Sequence, residues 1–261
     1  MELSHTFVVC AYKESAFLED CVKSLRAQAR PSQIIVCTST PNDHIKAVAD
    51  KYSLPIRVNE GEAGITGDWN FAMSQSDADL TTIAHQDDVY DPTYTEEIVA
   101  KAEKSKKPIV IFTDYYEIRN GEKAPKNTNL KIKALMNTVF SLFGGWKWAR
   151  LRVLSLGNSI CCPAVTYTRY ARENGFKFDK SYRFACDWEA WDRLARKKGK
   201  FAYIPKALMG HRIHEESETT KITASSLRSE EEYNIYRKYW PKAIAKKLSK
   251  FYSKGADSNK L

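Results

Sequence analysis

Short apolar runs separated by helical patterns constrain this chain more than any other feature. Residues 6–11 (Thr-Phe-Val-Val-Cys-Ala), 34–37 (Ile-Ile-Val-Cys) and 80–84 (Leu-Thr-Thr-Ile-Ala) are mostly apolar without interruption, the pattern of strands buried on both faces, and a shorter run covers 55–58. Between them Phe17, Leu18, Cys21, Val22 and Leu25 recur at helical spacing, as do Ile45, Val48 and Ala49, and a third helix is expected around Trp69 and Met73. Strands that alternate with helices need crossover connections. The expected class is therefore α/β, a mostly parallel sheet flanked by helices. In such sheets ligands sit outside the carboxyl ends of the strands. Three polar segments fall at those ends: 11–13, 38–41 and 85–88.

The second half has a different texture. Residues 109–118 read as a strand running into a hairpin whose turn is Asn120-Gly121. Residues 123–172 then hold nine Lys/Arg and no Asp or Glu. Within that stretch Ile132, Leu135, Met136, Val139, Phe140 and Phe143 share one helical face, expected to meet the core or, as the alternative, anionic lipid or phosphate, with Lys131, Lys133, Asn137 and Ser141 opposite. A helix over 187–197 and a strand over 201–204 follow. The last helix carries Ile244, Leu248 and Phe251 on one side and Lys242, Lys246, Lys247 and Lys250 around the other.

Charge sharpens this picture. The 261 residues include 41 Lys+Arg against 32 Asp+Glu, a formal net charge of +9, and outside the acid-free stretch the two signs balance. A local block of this kind points to one anionic partner rather than to a basic coat for nucleic acid. The six cysteines show no metal-binding spacing, and Cys161-Cys162 are adjacent, so reduced structural thiols in a cytoplasmic protein are expected. No basic segment or long apolar run precedes the first strand, so no leader is expected. The longest mostly apolar stretch, 135–145, is broken by Asn137, Thr138 and Ser141 and is too short to span a bilayer.

Three clusters could carry chemistry. Asp87-Asp88 follows a buried strand, where clustered carboxylates call for a neutralising cation such as Mg²⁺ or Mn²⁺; a helix-capping role before Pro92 is the alternative. Asp187 opens a helix that places Trp188 and Trp191 on one face, which suits either a general base or a simple cap. Residues 210–220, Gly-His-Arg-Ile-His-Glu-Glu-Ser-Glu-Thr-Thr, suit a metal or phosphate, or a solvated loop. Dinucleotide, P-loop, nucleophile-elbow and H-E-x-x-H motifs are absent, which sets aside dehydrogenases, P-loop enzymes, serine hydrolases and zincins.

Taken in order, these segments resemble a family 2 glycosyltransferase of the GT-A fold, over about residues 6–220. Val8-Val-Cys-Ala-Tyr12 with its helix is similar to the family's first strand, and Gly64-Ile-Thr-Gly-Asp-Trp-Asn70 to the segment before the metal motif. His85-Gln86-Asp87-Asp88 stands where the family has D-x-D, Phe178-Asp-Lys-Ser-Tyr182 and Asp187-Trp-Glu-Ala-Trp191 where it has its catalytic base, and Arg212-Ile-His-Glu-Glu-Ser217 where it closes with R-x-H-x-x-S. The resemblance implies a GT-A domain over 1–225, with a nucleotide-binding half to about 118 and an acceptor-side half beyond it. Residues 226–261 would form a basic helical extension. It further implies Asp187 as the base of an inverting transfer, and a Mn²⁺ or Mg²⁺ site at Asp87 with Asp88, His85 and His214. Ala11, Tyr12, Glu14, Thr38, Asp68, Asn70, Gln86 and Arg212 would line the nucleotide-sugar donor, expected to be UDP-linked. The acceptor would be a glycan or lipid-linked saccharide of bacterial polysaccharide type, met at an anionic membrane surface through the Lys-rich tail.

The sequence departs from the family pattern at two places that matter. His85 replaces the first acid of D-x-D, so the metal is held by Asp87 with a histidine or is bound weakly. Thr38-Ser-Thr-Pro41 replaces an Asp-rich turn that usually faces the base, and Cys186 stands where an acid often precedes the catalytic Asp. Two rivals use the same residues differently. One is a nucleotidyltransferase acting on a sugar phosphate. The other is a non-catalytic basic module for glycan or nucleic acid.

Overall fold

The expected strands of the first half pair in parallel. In this computed structural model, which describes residues 2–214 and 226–256, β1 (His5–Ala11), β2 (Gln33–Thr38), β3 (Ile56–Val58) and β4 (Leu80–His85) lie in the order β3-β2-β1-β4. The helices α1 (Leu18–Arg26), α2 (Asp43–Lys51) and α3 (Ile65–Ser74) connect them. Alternate side chains of β1 feed opposite layers: Phe7 and Val9 pack with Leu18, Val22, Ile45 and Val48, while Val8 packs with Ala72 and Met73. Both faces of the sheet are thus covered, which is why these strands are apolar throughout. Each large side chain so buried stabilises the fold by ~1.5–3 kcal/mol.

The second half makes the sheet mixed. Its strands are β5 (Val89–Tyr90), β6 (Pro108–Arg119), β7 (Glu122–Lys123), β8 (Val165–Thr168) and β9 (Lys200–Ile213), with α4 (Tyr94–Lys104) after β5. β8 inserts antiparallel between β4 and β6, β9 runs parallel to β6, and β5 pairs antiparallel with the far end of β9. β9 is much longer than the strand expected at 201–204. Its register against β6 shifts near Pro205, where Pro lacks the ladder donor, and pairing then resumes as far as Ile213. Residues 210–213 therefore belong to a strand rather than a loop, whereas residues 215–220 of the same cluster lie outside the described residues. Gly210 permits this pairing, since a Cβ there would meet the Tyr116 ring at 2.7 Å.

The acid-free stretch folds into α5 (Thr128–Phe143), α6 (Lys147–Leu154) and a 3-10 turn, followed by β8 and α7 (Arg169–Glu173). α5 is rolled only in part relative to expectation. Met136, Val139 and Phe140 of the expected face pack on the core, with Leu130 and Asn137 buried beside them, but Ile132, Leu135 and Phe143 are exposed. Asn137 tolerates burial because its side chain exchanges hydrogen bonds with Ser159. The stretch is also not one continuous positive face. Arg150 is buried and donates to the carbonyls of Gly144, Gly145, Ala195, Lys197 and Gly199, closing the C-terminus of α8 (Cys186–Ala195). Arg169 and Arg172 bind Asp79 and the carbonyls of Ser76, Asp77 and Ala78.

The C-terminal extension, α9 (Ser226–Arg237) and α10 (Lys242–Ala256), contributes Ile235, Tyr236 and Ala245 to the core around Trp188. Leu248 and Tyr252 turn inward with them, but Ile244 and Phe251 stay exposed. All six cysteines are free thiols. Among the described residues no helix is long and apolar enough to cross a membrane.

Candidate active site

The carboxyl ends of β1, β2 and β4 meet at one edge, because Ala11 is paired with Thr38 and Cys10 with His85. The loops there brace one another. The Gln86 side chain accepts from Tyr12 N at 2.9 Å and donates to Tyr12 O at 3.0 Å, and Lys13 N donates to Thr40 Oγ1 at 2.6 Å. Lys13 sits at φ 54°, the left-handed region, which turns the chain sharply after β1. Tyr12 and Glu14 are left exposed on this edge, whereas Ala11 and Thr38 are buried. Asp68, in the first turn of α3, accepts from Ser39 Oγ at 3.0 Å and Asn59 Nδ2 at 2.8 Å. An acid thus reaches the end of β2 although the turn after β2 has none. Asn70 faces the other way and exchanges two hydrogen bonds with the backbone of Phe178.

β4 delivers His85, Asp87 and Asp88 to the same edge, and the β5–β9 pairing, Val89 opposite Gly210, sets residues 211–214 against them. Asp88 is 0% exposed; its Oδ1 accepts from His211 Nδ1 and Arg212 N, each at 3.0 Å. Asp87 Oδ2 accepts from His214 Nε2 at 3.0 Å, while Arg212 Nε donates to Asp87 O and its guanidinium lies over the Phe17 ring. Burial opposes charge on Asp87, but the His214 hydrogen bond and the nearby His85 and His211 hold it below the usual carboxylate range. Burial likewise opposes a charged His211, but Asp88 outweighs it and lifts His211 to about 9. His85 stacks on Trp69, and burial pushes it down, toward the neutral imidazole that ligates metals.

Two buried atoms in this cluster lack a hydrogen-bond partner: His85 Nε2 and Asp88 Oδ2. One ligand atom each from His85, Asp87 and Asp88 lie within 4.8 Å of one another. Orphaned polar atoms beside clustered carboxylates fit a divalent cation.

Asp187 stands in the first turn of α8. Its Oδ1 accepts from Trp188 N at 2.6 Å and its Oδ2 from Asn158 Nδ2 at 2.7 Å, yet burial raises it above an ordinary carboxylate. It lies one residue past the helix start, and no side chain caps α8 at Ala185. The lead-in to the helix is held by Glu231 of α9, whose carboxylate accepts from the backbone N–H groups of Arg183, Phe184 and Ala185 at 2.8, 2.8 and 2.9 Å. Cys161 lies within electrostatic reach of both Asp88 and Asp187, and Lys133 within reach of both Asp187 and His211, so the two acidic groups share one neighbourhood. Lys133 Nζ donates to Tyr115 Oη at 3.0 Å. Sequence reasoning gave no role to Asn158, Lys133, His211 or Glu231. Only His211 carried a signal, as the first of two histidines flanking Arg212.

Comparison with known proteins follows the same outline. The family model for Glycosyl transferase family 2 matches residues 6–174. Among solved structures the fold is similar to S. aureus TarS, with 14% identity and a TM-score of 0.62 over 94% of this chain and 42% of that one. It is also similar to S. aureus TarS 1–349 in complex with UDP-GlcNAc, with 15% identity and a TM-score of 0.65 over 98% of this chain and 73% of that one. The mannosyltransferase PcManGT from Pyrobaculum calidifontis, in complex with GDP-Man and Mn²⁺, gives 11% identity and a TM-score of 0.68 over 99% of this chain and 73% of that one. These likenesses establish the GT-A fold. This chain spans 42% of the length of the first of these TarS chains. Among curated proteins no sequence matches.

Proposed function

The chain belongs to glycosyl transferase family 2, and from that premise we propose that it transfers a sugar with inversion from a UDP-sugar to a glycan or lipid-linked saccharide. The observation that carries this reading is Asp187: a buried carboxylate raised above its ordinary range, held by Asn158 and Trp188 N–H, within electrostatic reach of the groups around the Asp87–His214 and Asp88–His211 pairs.

In the proposed reaction the acceptor hydroxyl gives its proton to Asp187 as its oxygen bonds to the anomeric carbon. The bond from that carbon to the nucleoside diphosphate breaks on the opposite face, and the electron pair leaves with the phosphate. A positioned base of this kind contributes ~10²–10⁴-fold. Asn158 and Trp188 N–H aim the carboxylate. Cationic His211, with Lys133 and Arg212, faces the charge that grows on the departing diphosphate. Asp87, His214 and His85, with Asp88 behind them, would hold Mn²⁺ or Mg²⁺, which when bound neutralises diphosphate charge.

Ala11, Tyr12, Glu14, Thr38 and Gln86 would line the nucleotide at the sheet edge. Asp68 would supply the acid that the Thr38-Ser-Thr-Pro41 turn lacks, and Asn70 would steady the segment leading to Asp187. In this reading residues 1–118 form the nucleotide side and 119–225 the acceptor side, with 226–261 closing the latter. The tail lysines Lys242, Lys246, Lys247 and Lys250 stay exposed and are proposed to meet an anionic membrane surface from the cytoplasmic side. The test is Mn²⁺-dependent UDP release from a panel of UDP-sugars. Release that stops in both Asp87→Ala and Asp187→Asn supports the transferase mechanism, pyrophosphate released instead from UTP and a sugar 1-phosphate favours nucleotidyl transfer, and unchanged turnover in both variants sinks the reading.

A further inference from the structure

α5 carries apolar side chains on two sides. Its inward side packs Leu130 and Phe140 on the core beside Asn137 and Lys133, each held by a polar partner, while its outward side carries Ile132, Leu135, Leu142 and Phe143. Leu135 is 71% and Leu142 79% exposed. The Phe143 ring meets Trp146, 5.2 Å between centroids, which joins this stripe to the start of α6, where Trp148 is 71% exposed. A contiguous apolar surface of this kind is rare on a protein that stays in water.

We infer that the outward face of α5 and α6 docks on an anionic lipid bilayer, lying in the interface rather than crossing it. Three observations select lipid over a protein partner. The segment has no Asp or Glu between residues 123 and 172, so nothing on it repels acidic headgroups, and Lys131 and Lys147 are exposed beside the apolar stripe. Two exposed tryptophans, Trp146 and Trp148, stand at the start of α6, the residue type that settles at the headgroup level with its ring in the acyl boundary. Apolar anchors with flanking lysines are the pattern of helices that lie in the plane of a membrane.

The position of α5 adds a purpose, which rests on the transferase reading. One side of the helix borders the site through Lys133 and Asn137, the latter bonded to Ser159 next to the residue that aims Asp187. Docking the other side would bring a lipid-anchored acceptor to that site without lifting it from the bilayer.

The experiment is vesicle sedimentation of the full chain without donor or acceptor, on phosphatidylcholine alone and on equal parts phosphatidylcholine and phosphatidylglycerol. Wild type should sediment with the anionic vesicles only. The triple variant Leu135→Ser, Leu142→Ser, Trp148→Ser should lose that binding tenfold or more while keeping wild-type UDP release in solution. The tail variant Lys246→Glu, Lys247→Glu should lose less than the triple variant. Failure of wild type to bind, or equal binding by the triple variant, overturns the inference. So would a lipid-free dimer, seen by analytical ultracentrifugation, that the triple variant dissociates, since the face would then belong to a second copy. Vesicle binding and UDP release are read separately, so either can fail without the other.

Discussion

Burial raises Asp187 above an ordinary carboxylate, while the Trp188 N–H and the Asn158 amide pull it back by favouring the charged form. A general base works only when deprotonated. UDP release should therefore decline as pH falls through a pKa above the usual 3.8 for Asp. Replacing Asn158 with Ala removes a donor to the anion, so the acid limb of the kcat/KM profile should move to higher pH. A limb that stays in place or moves to lower pH would show that Asn158 does not set the base. Lys133→Met should shift the limb in the same direction, since the ammonium also favours the anion. The motif order behind the family resemblance singled out Asp87, Asp88, Asp187, Arg212 and His214 as candidates from the sequence. Asn158 was not legible: it is 29 residues from Asp187, and a surface-type Asn gives no hint of a distant carboxylate.

Elements differ in how far pattern determines them. The buried strands β1, β2 and β4 read correctly because apolar runs with crossover helices have few ways to pack. The partial roll of α5 did not, since hydrophobic periodicity assumes that apolar residues face inward, and here Lys133 and Asn137 find polar partners instead. The length of β9 was hidden by Pro205, which reads as a strand end until a register shift absorbs it. α8 shows how one element depends on another. Its lead-in donates three backbone N–H groups to Glu231, and Glu231→Ala would strand them. A loss of about 1–3 kcal/mol in denaturant unfolding is expected, together with lower UDP release. Wild-type stability in that variant would mean that the lead-in is held by something else.

At the scale of the molecule, the net charge of +9 divides into distinct jobs. Arg150, Arg169 and Arg172 hold carbonyls and Asp79, Lys133 binds Tyr115, and Lys131 and Lys147 remain for the outer surface. Composition could reveal the block but not this division, because guanidinium groups bound to backbone carbonyls are indistinguishable in sequence from solvated ones. The C-terminal extension is likewise more than a charged tail, since Ile235, Tyr236 and Ala245 fill the core beside Trp188. A chain ending at residue 225 should unfold at lower temperature and lose UDP release; full activity in it would make the extension dispensable. Chelation by EDTA should stop release in the intact chain, with Mn²⁺ or Mg²⁺ restoring it. The most direct test compares Mn²⁺-dependent UDP release by wild type and Asp187→Asn, alongside the thermal shift each shows with the same UDP-sugar. The account predicts an unchanged shift and release slowed by ~10² or more in the variant. Equal release from both proteins would contradict it.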